Sequence, residues 1–183
     1  MFNYSNLTHV SNFFSEQEVN DFLVNVNAYG EKDFFEAEMN YGAKGQIDRE
    51  VRSGKVLVVR PSLDNHFLNK LLHLIVKTNQ DKYKLDIKNY LTEWQVLKYN
   101  QGDHFSIHQD ALGWRKLSAV VFLSSEEEFE GGEFVFYEDP DNSLQRMRVK
   151  QTKGSVMLFP VDAWHAVHPT KKGTRFSLVS WVG

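Results

Sequence analysis

From Leu91 onward, turn-forming residues interrupt the chain every few positions, and that spacing admits little besides short strands. Strands are expected near Leu91–Tyr99, Phe105–His108, Leu117–Leu123, Glu133–Tyr137, Gln145–Val149, Ser155–Phe159, Ala163–Val167 and Arg175–Val182. The separators are Asn100-Gln101-Gly102, Gly131-Gly132, Asp139-Pro140-Asp141-Asn142, Lys153-Gly154 and Lys172-Gly173. Such a run of short strands suits a β-sandwich or jelly roll. The 14 phenylalanines point the same way, because aromatic side chains fit a pleated, half-buried surface.

The first half carries the helical signals. Ser15 stands before Glu16-Gln17-Glu18 as an N-cap, and Val19, Phe22, Leu23 and Val26 follow at helical spacing. A second helix is expected to start near Ser62 or Asp64, with Phe67, Leu68, Leu71, Leu72 and Ile75 as its apolar stripe. Between the helices, Gly30–Gly54 mixes charges, glycine and aromatics without a clear period, which suits a lid over a binding site. The expected fold class is α+β, mainly β. It is a double-stranded β-helix (jelly roll) over about 91–183, with the N-terminal helices packed on the outside of one sheet. A chain of 183 residues suits one domain over 1–183.

Composition narrows the chemistry. With no cysteine, disulfides and thiolate metal sites are excluded, so any metal must sit on His, Asp or Glu. A net charge of −3 without a basic block argues against nucleic acid as partner. The opening Met1–Asn6 has neither a charged nor an apolar leader region, and the apolar runs are too short for a bilayer. A cytoplasmic protein without membrane contact is the expectation, as a monomer or weak dimer.

The segment richest in chemistry is Tyr99-Asn-Gln-Gly-Asp-His-Phe-Ser-Ile-His108-Gln-Asp110. In a strand, residues two apart share a side, so His108 and Asp110 can aim at one point. A third ligand from another strand would complete two histidines and a carboxylate on one face of a metal. That arrangement leaves adjacent positions open and is the pattern of non-haem Fe(II) oxygenases. Alone, His-x-Asp is common by chance, and His104 offers equal chemistry on the same strand face. The second segment, Gly154…Phe159-Pro160…His165-Ala-Val167-His168-Pro169 and Gly173-Thr-Arg175-Phe-Ser177, adds a histidine and an arginine on neighbouring strands. Arginine offers a rigid fork of donors suited to a buried carboxylate.

Together these segments resemble the prolyl 4-hydroxylase-like branch of the 2-oxoglutarate/Fe(II) oxygenases. The likeness runs from about Trp94 to the C-terminus. It includes Arg115-Lys-Leu-Ser118 leading into Phe122-Leu-Ser and Glu130-Gly-Gly-Glu133-Phe, and closes on Trp181; in the first half it is loose, through Val51-Arg52-Ser53 or Arg60-x-Ser62. The resemblance implies that His108, Asp110 and His165 ligate Fe(II). It further implies that Arg175 pairs with the distal carboxylate of 2-oxoglutarate, with Tyr99 and Ser177 lining the same pocket. Some relatives carry Tyr where this chain has Phe122, which would remove one hydroxyl contact. His168, three residues past His165, would face away.

The implied reaction is hydroxylation of a C–H bond with O2, releasing succinate and CO2, with ascorbate a further candidate cofactor. Peptidyl proline is the leading substrate, ahead of other peptide or protein side chains and small molecules. Phe136, Tyr137, Arg148 and Trp114 join the 30–54 loop as candidate pocket rims. A cupin fits less well, since it wants His-x-His with a later Glu and leaves Arg175 unexplained. A nucleic-acid demethylase would have a second arginine where Trp181 stands. A non-enzymatic sugar- or protein-binding sandwich needs neither the triad nor the arginine.

Overall fold

The computed structural model describes residues 4–40, 45–59, 65–90, 94–142 and 144–183. In chain order the elements are β1 (Thr8–Val10), α1 (Glu16–Asn27), β2 (Phe35–Glu36), β3 (Met39–Asn40), β4 (Gly45–Gln46), β5 (Lys55–Val59), α2 (His66–Thr78), β6 (Trp94–Tyr99), β7 (Phe105–His108) and β8 (Leu117–Phe122). They continue with β9 (Phe129–Gly131), β10 (Phe134–Tyr137), β11 (Arg146–Arg148), β12 (Val156–Pro160), β13 (Trp164–Val167), β14 (Thr170–Gly173) and β15 (Arg175–Val182).

Seven strands form the major sheet in the order β1-β12-β8-β15-β6-β5-β2, and four form a minor sheet, β11-β10-β13-β7. Neighbouring strands within both sheets pair antiparallel. Two faced antiparallel sheets with this winding make the jelly roll that the strand spacing implies. The major sheet draws β1, β2 and β5 from ahead of Trp94.

Strand parity sorts side chains into two cores. Leu117, Ala119 and Val121 of β8 face the helices, whereas Val120 and Phe122 face the minor sheet. On β15, Leu178 and Val182 join the helix side, and Val179 and Trp181 the interior. Arg175 and Ser177 share the parity of Val179, so a buried strand delivers both polar groups into the space between the sheets.

The helices cover the outer face of the major sheet as expected. Ser15 caps α1 in a reciprocal capping box: its hydroxyl accepts from Glu18 N–H, and the Glu18 carboxylate accepts from Ser15 N–H at 2.8 Å. Val19, Phe22 and Val26 are the buried stripe of α1, and Phe67, Leu68, Leu71 and Ile75 that of α2. Phe67 stacks between Phe14 and Phe22, locking the two helices together. Asn65 caps α2, its side chain accepting from Leu68 N–H; the expected start at Ser62 or Asp64 lies outside the described residues.

The Gly30–Gly54 segment is more regular than its composition suggests. It holds a 3-10 turn over Glu31–Asp33, and β2 pairs with β5 at the edge of the major sheet. Near its end, Arg52 bridges Phe105, Ser53 N–H donates to His104 O, and Ser106 N–H donates to Val51 O. Residues 51–53 thus stitch the free edge of β7 to the strand leading into β5, and close one side of the barrel.

Candidate active site

His108 ends β7 and lies opposite His165 of β13 across the minor sheet. Asp110 falls two residues beyond the strand, not on it as the His-x-Asp spacing suggests. Its N–H donates to Val161 O at 2.9 Å, which fixes the extended chain there. One ligand atom each from His108, Asp110 and His165 lies within 4.8 Å of the others. Each imidazole Nε2 stands 3.7 Å from a different Asp110 oxygen.

Hydrogen bonds decide which nitrogen faces inward. His108 Nδ1 lies 2.8 Å from Ser106 O, and His165 Nδ1 lies 2.9 Å from Ala163 O. A carbonyl can only accept, so each Nδ1 carries the proton and each Nε2 presents its lone pair to the cluster. Burial, followed by the neighbouring His165, pulls the His108 pKa down to about 3, keeping the ring neutral. Burial alone would raise the Asp110 pKa. The two imidazoles, the Ser118 hydroxyl and the Trp181 indole outweigh it and hold the carboxyl below its ordinary value. Ser118 Oγ donates to Asp110 Oδ2 at 2.7 Å inside the core. Two imidazoles with Nε2 turned inward and a carboxylate, pre-aimed and buried, are a fitting donor set for Fe(II).

The cluster opens into a cleft of about 580 Å³. At its inner end lies Arg175, only 1% exposed. Its Nε donates to Gln151 Oε1 at 2.7 Å and its Nη1 to Ser177 Oγ at 3.3 Å, while Nη2 is buried with no partner. Burial pulls its pKa down to about 10. The guanidinium lies 5.4 Å from the Tyr99 ring and 5.9 Å from that of Phe122. Tyr99 Oη is also buried, with Arg52 within hydrogen-bonding reach, and burial raises its pKa against the nearby Arg52 and Arg175 charges. An unsatisfied guanidinium nitrogen beside a buried hydroxyl describes a site shaped for an anion that brings the missing oxygens.

The decoys separate cleanly. His104 turns to the 50–53 segment, its Nε2 3.0 Å from Glu50 O and its Nδ1 3.3 Å from Ser53 Oγ. His168 faces the outer side of the minor sheet, 2.8 Å from Tyr137 Oη. Several expected rim residues do not line the cleft. Phe136 is core, because its parity on β10 points it between the sheets, and Tyr137 points outward beside it. Arg148 lies on the edge strand and pairs with Glu126. Trp114 is half exposed outside the cleft. The 30–54 segment does contribute a wall, through Phe35, Glu36, Glu38 and Arg52. Gln151 has no counterpart among the residues the sequence singles out, and Ser118, Arg52 and Arg115 stand in the matched motifs without an assigned role. Arg52 lies 4.7 Å over the Phe105 ring, which stacks on His108, and Arg115 lies 3.8 Å over Trp181.

Comparison with known proteins agrees with this geometry. Residues 94–183 match the 2OG-Fe(II) oxygenase superfamily. A PKHD-type hydroxylase of Shigella dysenteriae is 24% identical over 185 residues, covering 95% of this chain and 76% of the relative. A prolyl-4-hydroxylase of Pseudomonas putida superposes with a TM-score of 0.74 at 16% identity, over 97% of this chain and 91% of that one. A Trichoplax adhaerens prolyl hydroxylase, solved with a hypoxia inducible factor peptide fragment, gives 0.77 at 17% identity, over 97% and 83%.

The chain thus belongs to the oxygenases that use Fe(II), 2-oxoglutarate and O2. Its fold is that of the prolyl 4-hydroxylases, and its sequence relatives are PKHD-type hydroxylases.

Proposed function

We propose that His108 Nε2, Asp110 and His165 Nε2 hold the iron, that Arg175 with Tyr99 and Ser177 holds the distal carboxylate of 2-oxoglutarate, and that the enzyme hydroxylates peptidyl proline. The observation that carries this is the placement of the three-ligand cluster and the unsatisfied Arg175 Nη2 in one cleft. Iron, 2-oxoglutarate and oxygen, once bound, supply the oxidation of a C–H bond, with succinate and CO2 as co-products.

The chain's own residues prepare that chemistry. Ser106 and Ala163 carbonyls fix both imidazole tautomers. Ser118 holds one Asp110 oxygen, so the carboxylate cannot swing away from the cluster. Val120, Phe134 and Val179 add apolar lining to the cleft, and a low-dielectric wall strengthens a carboxylate–guanidinium pair. The cleft mouth favours a peptide over a small metabolite, because Phe35 and Leu112 stand exposed at its lining. Glu36, Glu38, Arg52 and Arg115 supply charge of both signs around them.

The test is incubation with iron, 2-oxoglutarate and a proline-containing peptide library, read by mass spectrometry. A +16 product on proline with matched succinate is expected. Succinate coupled only to small-molecule oxidation would replace the peptide assignment.

A further inference from the structure

Gln151 and the Gly132 backbone of the Glu130-Gly-Gly-Glu133 segment lie against Arg175 from behind. Gln151 is 1% exposed, outside the cleft lining. Its Nε2 donates to Gly132 O at 3.0 Å, and its Oε1 accepts from Arg175 Nε at 2.7 Å. The chemistry leaves no choice of amide orientation: a carbonyl needs a donor, and a guanidinium needs an acceptor. Gly132 in turn is held by its N–H to Pro169 O at 3.1 Å.

Gly132 also shapes the space. Its φ is +61°, and a Cβ there would stand 3.1 Å from Arg175 Cδ and from the Phe129 ring. Only glycine takes this backbone conformation freely while leaving the arginine stem room to pass. The turn and the amide therefore bracket Arg175 at both its stem and its Nε.

A guanidinium can meet a carboxylate along its Nε edge or end-on through its two Nη groups. With Nε committed to Gln151, only the end-on pair remains, and Nη2 is the atom found without a partner. We propose that Gln151, oriented by the Gly132 carbonyl, is a positioning residue that sets the rotation of Arg175 for end-on capture of the 2-oxoglutarate distal carboxylate. This rests on the reading of Arg175 as the co-substrate anchor.

The experiment is titration of 2-oxoglutarate, and of 2-oxobutyrate, into Mn(II)-loaded wild type and Gln151→Met. Methionine keeps the volume of the side chain but offers Arg175 no strong acceptor. 2-Oxobutyrate keeps the chelating end of the co-substrate and lacks the distal carboxylate. Gln151→Met should weaken 2-oxoglutarate about tenfold, the scale of one charge-assisted hydrogen bond's worth of geometry. Its Mn(II) and 2-oxobutyrate affinities should be unchanged. Equal weakening of both acids, or of neither, overturns the proposal, since a core residue with no positioning role would show that pattern.

A second measurement needs no Gln151 variant. The 15N spectrum of the wild type should contain one slowly exchanging arginine Nε–H, absent in Arg175→Lys. Its absence from the wild type also overturns the proposal. Arg175→Ala separates the two layers. If Arg175→Ala weakens 2-oxoglutarate and Gln151→Met does not, positioning by Gln151 fails alone. If Arg175→Ala binds 2-oxoglutarate as wild type does, the anchor itself is misassigned.

Discussion

Replacing Arg175 with methionine should have opposite effects on the ligand-free protein and on co-substrate binding. The guanidinium is fully buried, and burial lowers its pKa from 12.5 to about 10. That difference corresponds to about 3 kcal/mol of unfavourable charge in the ligand-free fold at 1.36 kcal/mol per pH unit. The sign follows from linkage: a base whose folded pKa is depressed costs stability wherever it is charged, and the cost fades only as pH rises through about 10. Arg175→Met removes that cost but leaves Gln151 Oε1 without its donor, which takes back about 1–3 kcal/mol. The net change for the ligand-free protein is therefore between zero and about 2 kcal/mol in the variant's favour, or up to about 8 °C in Tm for a chain of this size. In the complex the balance reverses. A carboxylate entering a buried site without its partner loses about 2–5 kcal/mol, or roughly 30- to 5,000-fold in Kd. Thermal melts of the ligand-free protein and titration of 2-oxoglutarate into the Mn(II)-loaded form read the two sides separately. A variant that melts well below wild type, or that binds 2-oxoglutarate equally well, refutes the reasoning.

Other outcomes follow from the same geometry. His108→Ala, Asp110→Ala and His165→Ala should each abolish most Mn(II) binding measured by calorimetry, whereas His104→Ala and His168→Ala should leave it intact; full occupancy in Asp110→Ala would remove the triad assignment. Ser118→Ala frees one Asp110 oxygen and should weaken Mn(II) by about 10- to 100-fold, as loss of an outer-shell partner does; an unchanged affinity would show that Trp181 and the backbone suffice. Glu18 is held at a pKa of about 2, first by Lys70 and then by Ser15, so its part-exposed ion pair should contribute about 1 kcal/mol at neutral pH. For a depressed acid that contribution is complete above about pH 4.5 and is lost as pH falls towards 2, so the gap between wild type and Glu18→Gln in urea melts should close across that window; a pH-independent gap would refute it. Hydrogen exchange should find Phe35–Glu36, on the sheet edge, less protected than Leu117–Phe122 in the sheet interior until ligand binds; equal protection in the ligand-free protein would count against a lid.

The elements legible in the sequence are those where one face or one period dominates. Val19, Phe22 and Val26 repeat at helical spacing behind a Ser15 cap, and Phe105–His108 and Arg175–Val182 are strands with the bounds that turn residues marked. One strand that escaped notice, Lys55–Val59, is an unbroken apolar run after Lys55, packed against helices on one face and the second core on the other. It shows no alternation, so period alone cannot tell it from buried helix. The pair β9 and β14 escaped for the opposite reason. Thr170-Lys-Lys-Gly173 reads as a turn, and it becomes a strand only because Glu130 and Phe129 lie beside it.

The site divides along the same physical line. Residues two apart in sequence could be paired by counting: Arg175 and Ser177 on β15, and His108 at the end of β7 with Asp110 just past it. Residues that act by holding those groups could not. Ser118 reaches Asp110 from the strand after the metal loop, and Gln151 reaches Arg175 from a loop 24 positions away. Neither residue announces what it holds: Gln151 sits between Lys150 and Thr152 in a polar stretch, and Ser118 is one position of an expected strand, until the fold shows both buried. What exposes them is the accounting of hydrogen bonds in a dry interior. Arg175 commits Nε to Gln151 and Nη1 to Ser177, so the one unsatisfied nitrogen, Nη2, identifies both the direction from which a ligand must come and the residues that set that direction.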